Sequence, residues 1–273
     1  NGTLKFSRND TFEVSNVISG TGSVIQSGAG TVVFASNNSY GNTSVAAGIL
    51  QVGNGGTVGS LGSGAVTNNG ILSFKRSDVI TVSNLISGTG DIRQIGSGTV
   101  TLTNSNTFTG ATEISSGVLA LNGSGGIQSS SGLINDATFD ITGVTSNASV
   151  RTVTASVGSS ILLGAKNLTI TNSSGVIDGV ISGVGGSLML STGTLALTGT
   201  NTFTGSTTLN GGTLTISADA NLCAAPGSPV SNHLVLNGGA LRSAASFSLS
   251  SNREIGLGAS GGTISVDAGL ELV

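Results

Sequence analysis

Charge, aromatic rings, cysteine and proline are all scarce in this chain. Of its 273 residues 8% are charged and 3% aromatic, with no tryptophan, one cysteine, one histidine and two prolines. An ordinary globular domain carries roughly 25% charged residues, so the surface here is neutral and polar. The nine basic residues are scattered singly apart from Lys75 and Arg76. They cannot build the stripe of cations that phosphate neutralisation needs, which excludes nucleic acid as a partner. A basic helix lying on a membrane surface is excluded on the same ground. No run of roughly 18 apolar residues exists to span a bilayer, and no charged start followed by an apolar segment marks a leader peptide. The chain reads as a segment of something longer. One His and one Cys fail the ligand count of a metal site, so no metal and no cofactor is expected. Cys223 has no partner for an internal disulfide and reads as a small buried or turn residue, and His233 reads as a strand-edge residue. A large secreted protein that stays extended during export does well without disulfides.

Glycine is abundant, at 45 residues, and 37% of the chain is hydrophobic. The apolar residues come in short β-branched runs such as Thr31 to Ala35, Gly48 to Val52, Thr99 to Thr103 and Gly212 to Ile216. They alternate with the strand period of two rather than the helical 3.6. Between them stand Gly-Ser, Asn-Gly and Gly-Gly pairs, which suit tight turns. Disordered chains lack such runs and carry high net charge, whereas the charge here is −3. Ser217 to Ala225, the longest helix-favouring stretch, is closed by Pro226 and Pro229 and is at best a short turn.

The chain also repeats itself. NGTLKFSRNDTFEVSNVISGTG from Asn1 returns as NGILSFKRSDVITVSNLISGTG from Asn69, a shift of 68 without a gap. GTVVFASNNSYG at Gly30 returns as GTVTLTNSNTFTG at Gly98 and, after a further shift of 95, as GTLALTGTNTFTG at Gly193. Repetition with strand-forming runs indicates a stack of coils in which each coil buries its inward side chains against its neighbours. A right-handed parallel β-helix takes roughly 20 to 25 residues per coil, which makes the two spacings about three and about four coils. The fold class expected is therefore all-β, a right-handed parallel β-helix (β-solenoid) of about 11 to 13 coils, with residues 1–273 as one elongated domain.

The segment Gly98 to Leu121 resembles the passenger-associated transport repeat of bacterial autotransporters. Its pattern, GTL-x-L, then N-T-[YF]-x-G, then a hydrophobic strand and G-x-L, is carried by Gly98, Thr99, Leu102, Asn106, Thr107, Phe108, Gly110, Ile114, Gly117 and Leu119. The third copy keeps Gly193, Thr194, Leu195, Leu197, Asn201, Thr202, Phe203, Gly205, Gly212 and Leu214. The first keeps Gly30, Thr31, Asn38, Tyr40, Gly48 and Leu50, with Gly41 and Asn42 where Thr-Gly is usual. The resemblance implies a β-helical passenger segment carried across the outer membrane of a Gram-negative bacterium by a C-terminal barrel, then displayed at the cell surface or released to the extracellular space.

Motifs with chemical meaning are few. Gly258 to Gly262 matches G-x-S-x-G within a G-x-G-x-x-G from Gly256 to Gly261, but Thr263 to Val266 reads as a strand where either motif needs a helix. Asp136 and Asp140 alternate onto one side of a strand, without a third acid or a nearby cation, and read as a solvated face. Lys75, Arg76 and Asp78, with Lys5, Arg8 and Asp10 in the first copy, read as a charged turn repeated with the scaffold. No catalytic, cofactor-binding or metal residue is expected. The functional expectation is a non-catalytic adhesin or stalk whose partners are host or bacterial surface receptors, without membrane insertion by this segment. Self-association through coil ends or a lateral face is the alternative, and a scaffold for an active module elsewhere is a third. Specificity is expected in turns that differ between copies, such as Asn54 to Ser63 against Gly123 to Gly132.

Overall fold

The computed structural model of the chain describes residues 2–273, and every regular element among them is a β-strand except a 3-10 turn at Asp219–Asn221. That turn lies in the stretch closed by the two prolines. No helix among the described residues is long and apolar enough to cross a membrane. The strands form two compact units, Asn1–Gly132 and Leu133–Val273.

In the first unit the chain winds over three faces. The first face carries Thr3–Phe6, Ser23–Gln26, Thr43–Val45, Val66–Asn68 and Ile86–Ser87, in that order. The second carries Thr11–Val14, Thr31–Phe34, Ile49–Val52, Ile71–Phe74, Asp91–Gln94 and Thr112–Ile114. The third carries Val79–Val82, Thr99–Leu102 and Val118–Gly123. Neighbouring strands pair in parallel, as successive turns of a solenoid must. The second unit repeats the plan. Leu133–Asn135, Val153–Ala155, Ser173–Ile177, Gly193–Leu197, Thr213–Ile216, Ala240–Ser243 and Thr263–Val266 form one of its faces. Ala148–Val150, Asn167–Ile170, Ser187–Leu190, Thr207–Leu209, Val230–Leu236 and Arg253–Leu257 form another. With one such strand per turn, six in the first unit and seven in the second, the chain makes about 13 turns of a parallel β-solenoid.

Inward residues stack in register. Val32, Leu50, Leu72 and Ile92 follow one another through four turns, with Phe34, Val52 and Phe74 beside them, all at 0% exposure. In the second unit Leu195, Leu214 and Leu241 stack likewise, as do Ile170, Leu190, Leu209 and Leu236. Burying each such side chain contributes roughly 1.5 to 3 kcal/mol, and in a solenoid that gain exists only between turns. Several ladder positions are polar, two glutamines among them. Gln94, beyond Phe74 in its ladder, donates from Nε2 to Gly96 O and Gly98 O at 2.9 Å, and Gln26 does the same to Gly28 O and Gly30 O at 3.0 Å. Each glutamine satisfies carbonyls of the glycine turn that follows its own strand.

The repeated asparagine has a similar office. Asn38, Asn106 and Asn201 each accept at Oδ1 a backbone N–H from the preceding turn, that of Ile18, Ile86 and Ile181. Their Nδ2 groups donate to carbonyls of the following turn, Ser60 O, Gly126 O and Asn221 O. One amide side chain thus staples three turns at a corner where no strand ladder does so. Tyr40, Phe108 and Phe203, two residues on, are buried at 1% exposure or less. The glycine of G-x-L has positive φ in every copy, +62° at Gly48, +63° at Gly117 and +69° at Gly212, a turn conformation that glycine takes without strain.

The repeat does not count whole turns. Thr11, Thr31, Ile49, Ile71 and Asp91 are successive partners in one ladder, one turn apart each time, and this spacing lies at the short end of the expected range. The shift from Asn1 to Asn69 is then three turns and about a third. The strands of the first copy accordingly lie on the first and second faces, Ser23–Gln26 and Thr43–Val45 on one and Thr31–Phe34 and Ile49–Val52 on the other. Those of the second copy lie one face further round, Asp91–Gln94 and Thr112–Ile114 followed by Thr99–Leu102 and Val118–Gly123. The expectation of whole coils is corrected: the motif is not tied to one face, because all three offer the same inward ladder.

Candidate functional site

The motifs with chemical meaning fall on the scaffold. Gly258 to Gly262 forms the turn between Arg253–Leu257 and Thr263–Val266, closed by Gly261 N to Gly258 O at 3.0 Å, and exposed Ser260 takes Asn237 Oδ1 on its backbone N–H at 3.2 Å. No helix follows it. Asp136 and Asp140 do not share a strand: Asp136 lies in the corner after Leu133–Asn135, and Asp140 lies in Thr138–Val144, where its Oδ1 accepts the Thr142 N–H at 2.8 Å. The corner between two faces interrupts the alternation that would have aligned them.

The repeated Arg-x-Asp pair differs between its copies. Arg8 and Asp10 form a two-pronged ion pair at 2.8 and 2.6 Å on open surface, with side chains 48% and 61% exposed. Arg76 pairs with Asp78 in the same way, at 2.8 and 2.7 Å, but Arg76 is buried at 8% exposure. In each pair the guanidinium holds the carboxyl below its ordinary pKa, chiefly by hydrogen bonding. Over Arg76 lies the loop that begins at Asn54. Its Nη1 donates to Gly59 O at 2.6 Å and its Nη2 to Thr57 O at 2.5 Å, while Gly55 N and Ser77 N tie the loop to Lys75 O and Gly56 O. The tip, with Val58 at 42% exposure, faces solvent. Beside it Asn38, Ser60, Leu61, Ile80 and Asn84 line a groove of about 280 Å³.

A second clasp stands in the second unit. The turn from Thr213 to its ladder partner Ala240 is longer than the one from Ser173 to its partner Gly193. The additional chain forms the 3-10 turn and an exposed segment through Gly227, Ser228 and Pro229. Arg253, buried at 5%, secures its root. Its Nε and Nη2 donate to the Asp219 carboxylate at 2.7 and 3.0 Å, Nη2 also reaches Cys223 O at 2.5 Å, and Nη1 lies 2.8 Å from Cys223 Sγ and 3.1 Å from His233 Nδ1. Asn252 Nδ2 donates to Pro226 O at 2.8 Å. Cys223 and His233, unconnected in sequence, are thus brought together with Sγ 3.6 Å from Nδ1. Cys223 is buried, as its composition suggested. His233 is also buried, at 3%, in a strand paired on both sides, so the strand-edge reading is corrected: an edge position would have left the ring in water.

The hydrogen bonds of this cluster tie the loop to the strands beneath it. Burial pushes the Cys223 thiol above its ordinary pKa despite Arg253, whereas a reactive cysteine needs a thiolate. Burial pushes His233 down; the Thr204 carbonyl pulls the other way and the charge of Arg253 adds to the fall. Both groups are neutral at neutral pH. Among the described residues no group of three or more His, Cys, Asp or Glu side chains is placed to hold a metal ion. What the two arginines accomplish is mechanical: each fills the root of an irregular loop with donors that its carbonyls would otherwise lack.

A family model described as the passenger-associated-transport repeat matches residues 24–52, 92–121 and 190–216. These spans contain the stapling residues Asn38, Asn106 and Asn201. The chain is similar, at 33% identity over 275 aligned positions, to the adhesin BmaC autotransporter of Brucella suis biovar 1. The match covers 83% of this chain and 8% of that much longer protein. No solved structure matches significantly.

Proposed function

We propose, on the premise that the chain belongs to the autotransporter passengers built from the passenger-associated-transport repeat, that it is a non-catalytic adhesive segment exposed outside a Gram-negative cell. Its turns supply reach and a neutral scaffold, and recognition belongs to the loops rooted on Arg76 and Arg253. The observation that carries this reading is that each irregular loop is rooted on a buried arginine. Arg76 donates to Thr57 O and Gly59 O of one loop, and Arg253 to Cys223 O at the root of the other. Irregular loops held rigid on a regular frame are how repeat scaffolds present binding surfaces, because a pre-ordered loop has less entropy to lose on binding. Weak contacts repeated along such a frame add through multivalency. The similar Brucella protein is an adhesin by name, which supports this reading.

The test is binding of the purified segment to epithelial cells and to immobilised matrix proteins. Substitution of the tips, Thr57→Asp with Val58→Asp in one variant and Gly227→Asp with Ser228→Asp in another, is expected to abolish binding while circular dichroism stays unchanged. A scaffold control, Thr169→Asp, is expected to bind as the parent does. Equal binding by the tip variants would refute recognition by these loops, and absence of binding by the parent segment would refute the adhesive role.

A further inference from the structure

His233 occupies an odd place for a chain's single histidine. It stands in a bulge: Val230 pairs with Arg253 and Leu234 with Ile255, so Ser231, Asn232 and His233 together face Glu254 alone. Asn232, at φ +57°, is the one non-glycine residue with positive φ among those described. A bulge leaves backbone groups outside the ladder and is the place where a strand parts most easily. The bulge here also turns the imidazole inward, onto Arg253.

The hydrogen bonds there specify the protonation state. A guanidinium has donors only, so Nδ1 of His233, 3.1 Å from Arg253 Nη1, must present its lone pair. The ring proton then sits on Nε2, directed at Thr204 O at 3.4 Å. Every element packed on the ring contributes to the charge balance. The strand Arg253–Leu257 brings Arg253, the 3-10 turn brings Asp219, and the segment after it brings the neutral Cys223 thiol. His233's own strand has no other ionisable side chain, and Glu254 faces outward to the Ser231 hydroxyl at 2.9 Å. The single carboxylate is already engaged by both prongs of Arg253. The buried cluster is neutral as it stands. One more proton would add an unpaired charge and set an N–H on Nδ1 against an N–H of Arg253, and a buried unpaired charge is strongly unfavourable.

We propose that His233 and Arg253 form an acid-operated latch: uptake of one proton by the imidazole drives the ring out of the cluster through its bulge and frees the loop segment from Ala224 to Asn232. Arg253 holds that segment through Cys223 O, and its neighbour Asn252 holds Pro226 O, so disturbing the guanidinium loosens the root rather than the tip. The regular turns have no equivalent group and stay closed. Mild acidification, through the range where an imidazole titrates, therefore changes the presentation of one loop on an unchanged scaffold.

Hydrogen exchange read by mass spectrometry tests the latch independently of what the loop binds. After correction for the intrinsic pH dependence of exchange, protection of 224–232 is expected to fall roughly ten-fold or more between about pH 7.5 and about pH 5, with 193–216 unchanged. In His233→Asn, whose side-chain oxygen replaces the Nδ1 acceptor and does not titrate, protection is expected to stay within about two-fold across that range. Unchanged protection in the parent chain, or the same loss in the variant, would overturn the proposal. Should the variant not fold, the parent chain alone decides. Its one imidazole gives one unambiguous NMR signal, expected to titrate below the ordinary histidine range and in step with loop opening. Titration at an ordinary midpoint, or opening outside that titration, would overturn the latch equally.

Discussion

Arg8 and Arg76 occupy equivalent positions in the two copies that begin at Asn1 and Asn69, and Arg76 holds the loop of the turn before it. Arg76→Ala removes the donors to Thr57 O and Gly59 O and leaves Asp78 without its partner. The buried Gly59 carbonyl left unpaired and a broken partly buried ion pair together cost about 2 to 4 kcal/mol. The expected outcome is a lower thermal midpoint and new proteolytic cleavage between residues 54 and 60. Arg8→Ala, on open surface where ion pairs contribute little, is expected to leave both unchanged. His233 sets a second residue-scale expectation. Its pKa is lowered in the folded chain, chiefly by burial, so the unfolded chain binds the extra proton more readily. Stability from this site is therefore complete above about pH 6.5, the unfolded value, and declines as the pH falls below it. Urea unfolding of the parent chain should show that decline, and His233→Asn should lack it.

Strands can stack at one spacing only if the corners between them are thin. A Cβ at Gly98 would collide with Asp78 O, and one at Gly96 with Arg76 O, both backbone atoms of the turn before. Gly98→Ala must push two turns apart and is expected to cost about 1 to 3 kcal/mol, read as a fall in thermal midpoint. Gly227→Ala, with nothing within 4 Å and no positive φ, is the neutral comparison. The strand runs, the glycine corners and the turn count were legible in the sequence because they rest on alternation and repetition, which are local. The turn length reads slightly long from the sequence because the shift from Asn1 to Asn69 suggests whole coils, and only register reveals the extra third of a turn. Gln26 and Gln94 left no signal, since a glutamine's role in a ladder depends on carbonyls that its own turn leaves unpaired. The Arg253 cluster was invisible for a plainer reason: Asp219, Cys223, His233 and Arg253 meet only through tertiary pairing. The comparison of Asn54 to Ser63 with Gly123 to Gly132 did mark one clasped loop, because these stretches differ in sequence where the flanking strands repeat.

A solenoid buries its inward ladder only where a turn lies above and below, so the last turn of each ladder reports what stacking hides. In the second unit Leu257 follows buried Leu236 in register yet is 72% exposed, and Ile264 follows buried Leu241 at 42%. Ile255 and Val266 stand beside them at 43% and 38%. Apolar side chains at the ends of unpaired parallel strands form a template for another strand, and the small net charge of −3 offers little repulsion against it. The isolated segment is therefore expected to associate with rising concentration, through this turn. Light scattering should rise with protein concentration for the parent segment, and Leu257→Lys together with Val266→Lys should keep it flat, because two charges on the exposed ladder oppose a stacked partner without touching a buried contact. A matched pair on a lateral face, Thr169→Lys with Thr208→Lys, adds the same charge away from the open turn. Either pair takes the net charge from −3 to about −1 and so weakens overall repulsion; if the lateral pair nevertheless suppresses scattering equally, added surface lysine rather than the open turn governs association.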